Sequence, residues 1–562
     1  MQQCVGESRV GLTIGVMERP PSRLLLVVLS VGVFLAGLEL MITAVALPSI
    51  IQSFGGSSGA PAITELRRAS WIINGYLLVY VVAMPLAGRL ADAWGARRLF
   101  LFALLAFTFG SFLAGLAQSI EELVAARLIQ ALGGGTIVPV ATAAAAHLFE
   151  RDVRPRALGV IGALTFLGMA AGPFVGAAVF DAVHTETVLN SAGVYGGPLV
   201  AMLAPAWRWV FYVNVPIGIV VLAITWAASA GWDTPHHGRR IDWLGAVLFS
   251  AFLAAALIAI TLLGARPAAG DAIDPLVVSA GLAVAAIATG AVMVARSRRS
   301  QDPFLDLRLF RDRVFSSATF LSLVTGYAFA TAIIGGAVFV DRVLYGGPDD
   351  QRLALGALAG ATAVGALASG FLVRVASLRM VSVVGVLASV AALLAMSGWS
   401  SGVPLPQVAG VLALFGLGFG LTVTPRSAAA VEALGRRAFG VASATVTVAR
   451  MIGMALGLAI LAAYGSTTID RLYDRVNASP DAYKQLIPPE LRNRELHDGL
   501  VVEALENWAS SEAARILDGV FLATAAVTLI AIPSALALGD RPRMLARDDS
   551  DARDAAGITL AG

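Results

Sequence analysis

Residues 88–100 read "GRLADAWGARRLF" and lie between two apolar runs, 69–91 and 99–117. Gly88 permits close approach of a neighbouring helix, Asp92 stands where the first run ends, and Gly95 turns the chain. Arg97 and Arg98 then face water on the side of a bilayer that retains basic residues. A carboxylate at a helix end beside arginines makes charge-assisted contacts that can exist in one of two helix arrangements and not the other. Gly88, Asp92, Gly95, Arg97 and Arg98 are therefore a candidate gating loop. The plainer reading is a basic loop that only sets topology.

The rest of the chain fits a loop between two membrane spans. Of 562 residues 57% are hydrophobic and 14% charged, against about 25% charged in soluble domains, and the mean hydropathy is +0.79. A spanning helix needs roughly 20 mostly apolar residues, because lipid satisfies no backbone polar group. Fourteen such runs are found, at 23–50, 69–91, 99–117, 123–148, 157–181, 209–230, 243–264, 275–296, 315–340, 353–374, 380–399, 407–425, 438–464 and 513–538. One cysteine, Cys4, excludes an internal disulfide framework or a multi-thiolate metal site within one chain. Net charge is +3, but the arginines cluster between apolar runs and not on one stripe, so nucleic acid is not an expected partner.

Basic residues mark the even-numbered loops: Arg97 and Arg98; Arg151, Arg154 and Arg156; Arg239 and Arg240; Arg296 through Arg313; Arg374 and Arg379; then Arg426, Arg436 and Arg437. Arg67 and Arg68 are the exception. Both termini are expected in the cytoplasm. The first twenty-two residues lack the apolar core and small-residue site of a cleaved signal, and Met17 is read as the natural start. A polar segment around 466–512, broken at Pro488 and Pro489, is expected to extend the last two helices outside the membrane, and the apolar insertion at 184–206 either to cap the outer mouth or to rest on the bilayer surface.

Residues 88–100 resemble the signature cytoplasmic loop of the major facilitator superfamily, although Ala93 and Ala96 stand where that family often has arginine. "RLIQALGGGTIVP" in the fourth run resembles a second family signature, with Arg127 and Gln130 as cavity residues. Arg127 either finds a polar partner or snorkels to the headgroups. "GMAAGPFVGAA" in the fifth run looks like the family's antiporter signature, with Gly168, Gly172, Pro173 and Gly176 on a small-residue face suited to close packing and bending. "LELMITAVALPSI" resembles the first-helix signature of the fourteen-helix drug:proton antiporter branch, which places an acidic proton-coupling residue at Glu39. A mid-helix carboxyl is a functional-site candidate by default, a purely structural Glu39 being the alternative.

The branch is identified further by "WRWVFYVNVPIG" from Trp207, "IDWLGAVL" from Ile241 and "PFLDLRLFRDRVF" from Pro303, which are assigned no substrate role. The last third is similar to actinobacterial multidrug and triacylglyceride exporters. It contains Arg450, too deep in the thirteenth run to solvate cheaply; pairing with Glu39 is the simplest way to satisfy both, and backbone carbonyls or a glutamine are the alternative.

The resemblance implies an all-α major facilitator fold. It comprises a cytoplasmic tail 1–22, a six-helix half 23–230, two inserted helices with linkers 231–314, a second half 315–539 with its extracytoplasmic extension 466–512, and a tail 540–562. It implies a multi-pass protein of the bacterial inner membrane that exports lipophilic small molecules by proton antiport and alternating access. No cofactor or metal is implied, and the extension is offered as a dock for an extracytoplasmic partner. Export of a lipid or glycolipid is the alternative. A membrane enzyme or nontransporting receptor is a weaker reading, since the five histidines are scattered at loops and helix ends.

Overall fold

The computed structural model describes residues 22–55, 62–149, 153–191, 193, 195, 197–228, 232, 242–263, 273–300, 303–434, 441–457, 460–461, 482–493 and 498–539. The predicted tails except for Ser22, the loops with Arg151, Arg239, Arg240, Arg436 and Arg437, and all of 466–481 lie outside them.

Among the described residues all regular structure is helical. The first half contains α1 (Ser22–Gly55), α2 (Ala62–Trp94), α3 (Ala96–Leu116), α4 (Ile120–Leu148), α5 (Arg154–Ala182), two short helices α6 (Thr185–Ser191) and α7 (Pro198–Leu203), then α8 (Ala206–Tyr212) and α9 (Asn214–Ala228). The inserted pair is α10 (Trp243–Leu263) and α11 (Pro275–Arg299). The second half contains α12 (Arg313–Arg342), α13 (Pro348–Val375), α14 (Leu378–Met396), α15 (Leu405–Leu434), α16 (Val441–Gly457), α17 (Gly499–Leu529) and α18 (Ile532–Leu536).

Polar residues just outside the apolar stretches set where helices begin. Ser119 accepts from the Glu122 amide at 3.1 Å while the Glu122 carboxylate accepts from the Gln118 amide at 2.7 Å, a reciprocal cap on donors that have no intrahelical partner. Asp274, Asp312, Ser377 and Asp498 cap α11, α12, α14 and α17 from one side, each side chain accepting from a first-turn amide.

Among the described residues twelve spans are long and apolar enough to cross a membrane, α8 with α9 and α17 with α18 each counting as one, and thirteen if a bent pair is one span. That is fewer than the fourteen runs in the sequence. The run at 438–464 meets only the seventeen-residue α16 before the described residues stop. The run at 157–181 is the bent one: its axis turns by 42° between Gly172 and Phe174, at Pro173, which has no backbone amide to donate to the helical ladder. The run at 407–425 extends through Pro425 to Leu434, because neighbouring helices can re-satisfy the groups that a buried proline frees.

The two halves repeat one packing pattern. In the first, α1 lies on α5 and α4 lies between α2 and α3; in the second, α15 lies between α13 and α14, while α12 pairs with α16. Glycines allow the crossings. A Cβ on Gly37 would stand 2.2 Å from the Thr165 carbonyl, one on Gly326 2.2 Å from that of Arg450, and one on Gly416 2.1 Å from that of Leu358. With no hydrophobic driving force between helices in lipid, such backbone approach supplies the dispersion contact that holds them. The halves meet where α5 packs on α13 and α15. On another side Tyr76 and Tyr80 of α2 pack with Val448 and Met451 of α16 and with Phe249 and Leu253 of α10. Only 17% of the α11 span is buried, which leaves it facing lipid at the periphery.

At one end α17 starts well before its apolar stretch. Ser510 donates to the Val343 carbonyl at 2.9 Å and Tyr345 to that of Glu506 at 2.9 Å. These bonds tie the polar start of α17 to the α12–α13 turn. Ile487 and Val501 bury a small apolar contact there, beside the 3-10 turn Pro489–Leu491.

Candidate functional site

Glu39 stands in mid-α1 with no exposed surface. Its carboxylate pairs with the Arg127 guanidinium of α4 and accepts from Thr43 at 3.1 Å and from the Asn214 side-chain amide of α9 at 2.6 Å. Arg127 donates further to Gln130 at 2.7 Å and to the Ile72 carbonyl at 3.4 Å, and lies over the Tyr76 ring at 3.9 Å. Gln130 passes a bond to Ser111 of α3 at 2.8 Å, which donates to the Phe211 carbonyl at 3.2 Å. A buried ion pair is tolerated only when its remaining donors and acceptors find partners, and here groups from six helices supply them, Asn214 Oδ1 and the Tyr76 hydroxyl staying buried without a hydrogen bond.

Tight crossings hold the network's members in place. Gly110 lets α4 approach so closely that a Cβ there would meet the Gln130 amide nitrogen at 2.4 Å, which brings Gln130 to the neighbouring Ser111. Gly168 and Gly172 of the fifth-helix signature press α5 onto α1 on both sides of Glu39: a Cβ on Gly168 would meet the Phe34 carbonyl at 2.2 Å, and one on Gly172 the Ile42 amide at 2.9 Å. Gly176 is buried nearby, and the Pro173 side chain lies outside the described residues.

The expected pairing of Glu39 with Arg450 is not the one present. α1 runs beside α4, so Arg127 and Asn214 already fill the Glu39 oxygens. Arg450 projects instead from α16 over the Phe166 ring of α5 at 5.3 Å. Snorkelling of Arg127 is also excluded, since 1% of its surface is exposed. Nor does Arg450 bond a carbonyl or a glutamine: among the described residues it donates no hydrogen bond, and its Nε is buried without a partner.

Arg426 requires a second correction. The sequence placed it in a basic loop, yet it lies within α15 with 1% of its surface exposed. It donates to the hydroxyls of Thr325 and, at 3.4 Å, Thr422. Between Arg426 and Arg450 lie three rings. Phe329 and Phe419 stack at 4.3 Å and Phe166 meets them edge-on at 5.4 and 5.3 Å; the Arg426 guanidinium is 5.1 Å from the Phe419 centroid.

In the candidate gating loop Gly95 adopts φ 86°, a conformation strained for any residue with a side chain, and so turns α2 directly into α3. Gly88 is buried, Arg97 half-buried and Arg98 exposed, while the Asp92 side chain lies outside the described residues. Arg89 grips the carbonyls of Phe304 and Pro303 at 2.6 and 2.8 Å. Beside it Asp242, before α10, pairs with Arg296 at the end of α11 at 2.7 Å and accepts from the amides of Gly245 and Phe304 at 2.9 and 3.3 Å. Burial pushes the Asp242 carboxyl up, but the bonds from Arg296, Gly245 and Phe304 outweigh it and hold it below its ordinary value. Among the described residues no three His, Cys, Asp or Glu side chains converge as metal ligands would.

The family model of the Major Facilitator Superfamily matches residues 29–458. The chain belongs to the major facilitator superfamily. It is a multi-pass membrane transporter. Among its relatives, the triacylglyceride transporter of Mycolicibacterium hassiacum is 31% identical over 75% of this chain and 76% of its own. Multidrug resistance protein 3 of Bacillus subtilis strain 168 is 27% identical over 77% of each. The fold matches the inward-facing, occupied crystal structure of a bacterial homologue of the human lysosomal transporter Spinster with a TM-score of 0.54 at 18% identity, covering 93% of this chain and 97% of that one.

In this major facilitator several members of the polar network escape a reading by pattern. Asn214, just before Pro216 and an apolar run, has the appearance of a plain helix start. Ser111 and Thr43 are small polar residues of a kind common on helix-packing faces. Arg426 directly follows Pro425, which reads as a helix end. The arrangement can carry one titratable carboxylate in a desolvated, ion-paired setting and, across the seam between the halves, two cations against aromatic rings. Transporters with repeated halves place substrate sites at such a seam.

Proposed function

We propose that this major facilitator exports lipophilic small molecules by proton antiport with alternating access, and that Glu39 carries the proton. The observation that bears this reading is the Glu39–Arg127 pair inside a fully buried network. Protonating Glu39 removes the charge that holds Arg127 and turns one acceptor oxygen into a donor. The network then has to rearrange, and α1, α4, α5 and α9 with it. Ionisable groups inside a membrane mark ion or substrate pathways. The bend at Pro173 and the α1–α5 crossing at Gly168 and Gly172 supply the element that moves, and the loop with Gly88, Asp92, Gly95, Arg97 and Arg98 gates its cytoplasmic side.

In this reading the protein sits in the bacterial inner membrane with both termini cytoplasmic and transports without enzymatic turnover. A second reading, export of a lipid to the cell envelope, is favoured by the name of the Mycolicibacterium relative and by the polar start of α17. In that reading the region around 466–512 docks an extracytoplasmic partner.

Proteoliposomes loaded with a lipophilic cationic dye or a fluorescent neutral lipid test both readings. An imposed proton gradient is expected to drive one cargo in the wild type and neither in Glu39→Gln. Gradient-driven transport that survives in Glu39→Gln removes Glu39 from the coupling mechanism, and the cargo that moves selects between drug and lipid.

A further inference from the structure

Arg127 and Arg426 lie on corresponding helices of the two halves, Arg127 near the start of α4 and Arg426 near the end of α15, the helices that lie between two neighbours in each half. Each reaches the first helix of its own half. Arg127 finds the carboxylate of Glu39 on α1, whereas Arg426 finds only hydroxyls, that of Thr325 on α12 and that of Thr422 on its own helix. A second correspondence enlarges the imbalance. Gly37 of α1 crosses α5 at the Thr165 carbonyl, and Gly326 of α12 crosses α16 at the Arg450 carbonyl. Where the first half carries a threonine whose hydroxyl bonds its own helix at Ile161, at 2.8 Å, the second carries an arginine.

The second half thus holds two buried guanidiniums, 1% and 8% exposed, and among the described residues neither pairs with a carboxylate. They lie within electrostatic reach of each other. Arg450 Nε and the hydroxyl of Tyr80, which approaches Arg450 from α2, are both buried without a hydrogen-bond partner. An uncompensated buried charge is strongly unfavourable, and two of one sign more so. A structure that keeps both needs an anion, and the first half shows how the same fold neutralises such an arginine when the anion is its own side chain.

We propose that Arg426 and Arg450 bind the anionic head of an amphiphilic cargo, with Phe166, Phe329 and Phe419 receiving the adjoining apolar part. A carboxylate, phosphate or sulfonate suits the site, because planar guanidiniums donate to such groups in pairs. The three rings are buried against one another in this conformation and carry no acceptor that would favour a neutral polar head. This substrate class rests on the proposed reading of the protein as an exporter of lipophilic molecules; the binding itself requires no proton coupling.

The test is equilibrium binding to the purified full-length protein in a nonionic detergent, with no pH gradient. The probes are a dansyl-labelled alkyl sulfonate and the neutral sulfonamide of the same chain. The wild type is expected to bind the sulfonate about tenfold or more tightly than the sulfonamide, the effect of one charge-assisted hydrogen bond or more. Arg450→Gln is expected to bring the sulfonate down to the affinity of the sulfonamide while leaving the sulfonamide unchanged, and Arg450→Lys to retain most of the preference. Arg426→Gln, if it elutes as a folded monodisperse protein, is expected to act in the same direction.

Equal affinity for both probes in the wild type overturns the proposal, as does an Arg450→Gln variant that weakens both probes alike. Inorganic sulfate that competes as well as the unlabelled alkyl sulfonate indicates a small-anion site and overturns the amphiphile assignment. Glu39→Gln is expected to keep the sulfonate preference, so failure of the proton-coupling reading shows in transport and failure of this one in binding.

Discussion

The side-chain amide of Asn214, at the start of α9, donates to Glu39 Oε2 of α1 at 2.6 Å across 175 positions of sequence. Asn214 also reaches Ser111 at 3.3 Å, so one side chain joins α1, α3 and α9. Replacing it by alanine deletes a donor to a buried charged group, a loss of about 1.5–3 kcal/mol. Asn214→Ala is expected to lower the thermal unfolding midpoint and to reduce gradient-driven transport several-fold at equal expression. Unchanged values for both would separate Asn214 from the coupling network.

Arg127→Gln leaves the Glu39 carboxylate buried without its cation, which costs about 3–5 kcal/mol. The double variant Glu39→Gln with Arg127→Gln removes both charges and is expected to recover much of that stability without recovering transport. A double-mutant cycle on thermal unfolding measures the coupling. Additive effects of the two single changes would mean that the pair contributes nothing as a pair.

Gly168→Ala brings a methyl group to about the 2.2 Å position facing the Phe34 carbonyl, where neither backbone can yield, and overpacking of this kind costs about 1–3 kcal/mol or more. Gly360→Ala on α13 meets nothing within 4 Å and serves as the control, with a gain in helix propensity of up to about 1 kcal/mol. Detergent-solubilised Gly168→Ala is expected to unfold at a lower temperature and to lose transport, while Gly360→Ala stays at or above wild type. Indistinguishable melting of the two would show that the α1–α5 crossing tolerates a wider separation.

Asp242 is held below its ordinary carboxyl value. A depressed folded value contributes stability that is fully present above the unfolded value and disappears as pH falls through the folded one. The clasp between Asp242 and Arg296 is therefore intact at every pH above the ordinary carboxylate range. The stability difference between wild type and Asp242→Asn is expected to stay constant from about pH 8 to pH 5 and to shrink only in stronger acid. Melting curves across that range check it; a difference that changes near neutral pH would assign the titration to another group.

Part of the candidate site's geometry is legible in the sequence. Glu39 stood out because a carboxyl in the middle of an apolar helix has few innocent explanations, and Gly168 and Gly172 because small residues one turn apart mark close helix packing. The fifth helix bends at the proline that suggested bending. The partner of Glu39 was misread because sequence supplied two deep arginines, Arg127 and Arg450, and no distances. Arg127 sits near the start of its apolar run, where snorkelling is inexpensive; only the neighbouring helices show that it is enclosed. Arg426 was hidden by Pro425, since a proline in a sequence reads as an end and in a bundle need not be one.

The sequence by itself determined that this chain is a helical membrane protein and which family signatures it carries, because the requirement for apolar length and for internally satisfied backbone groups acts locally along the chain. Tertiary structure alone decided which charge meets which. An ion pair between α1 and α4, an asparagine brought from α9, and two arginines left facing three phenylalanines depend on helix crossings set by glycines far apart in the chain. Electrostatic interaction falls off with distance and burial, and neither quantity is written in the order of the residues.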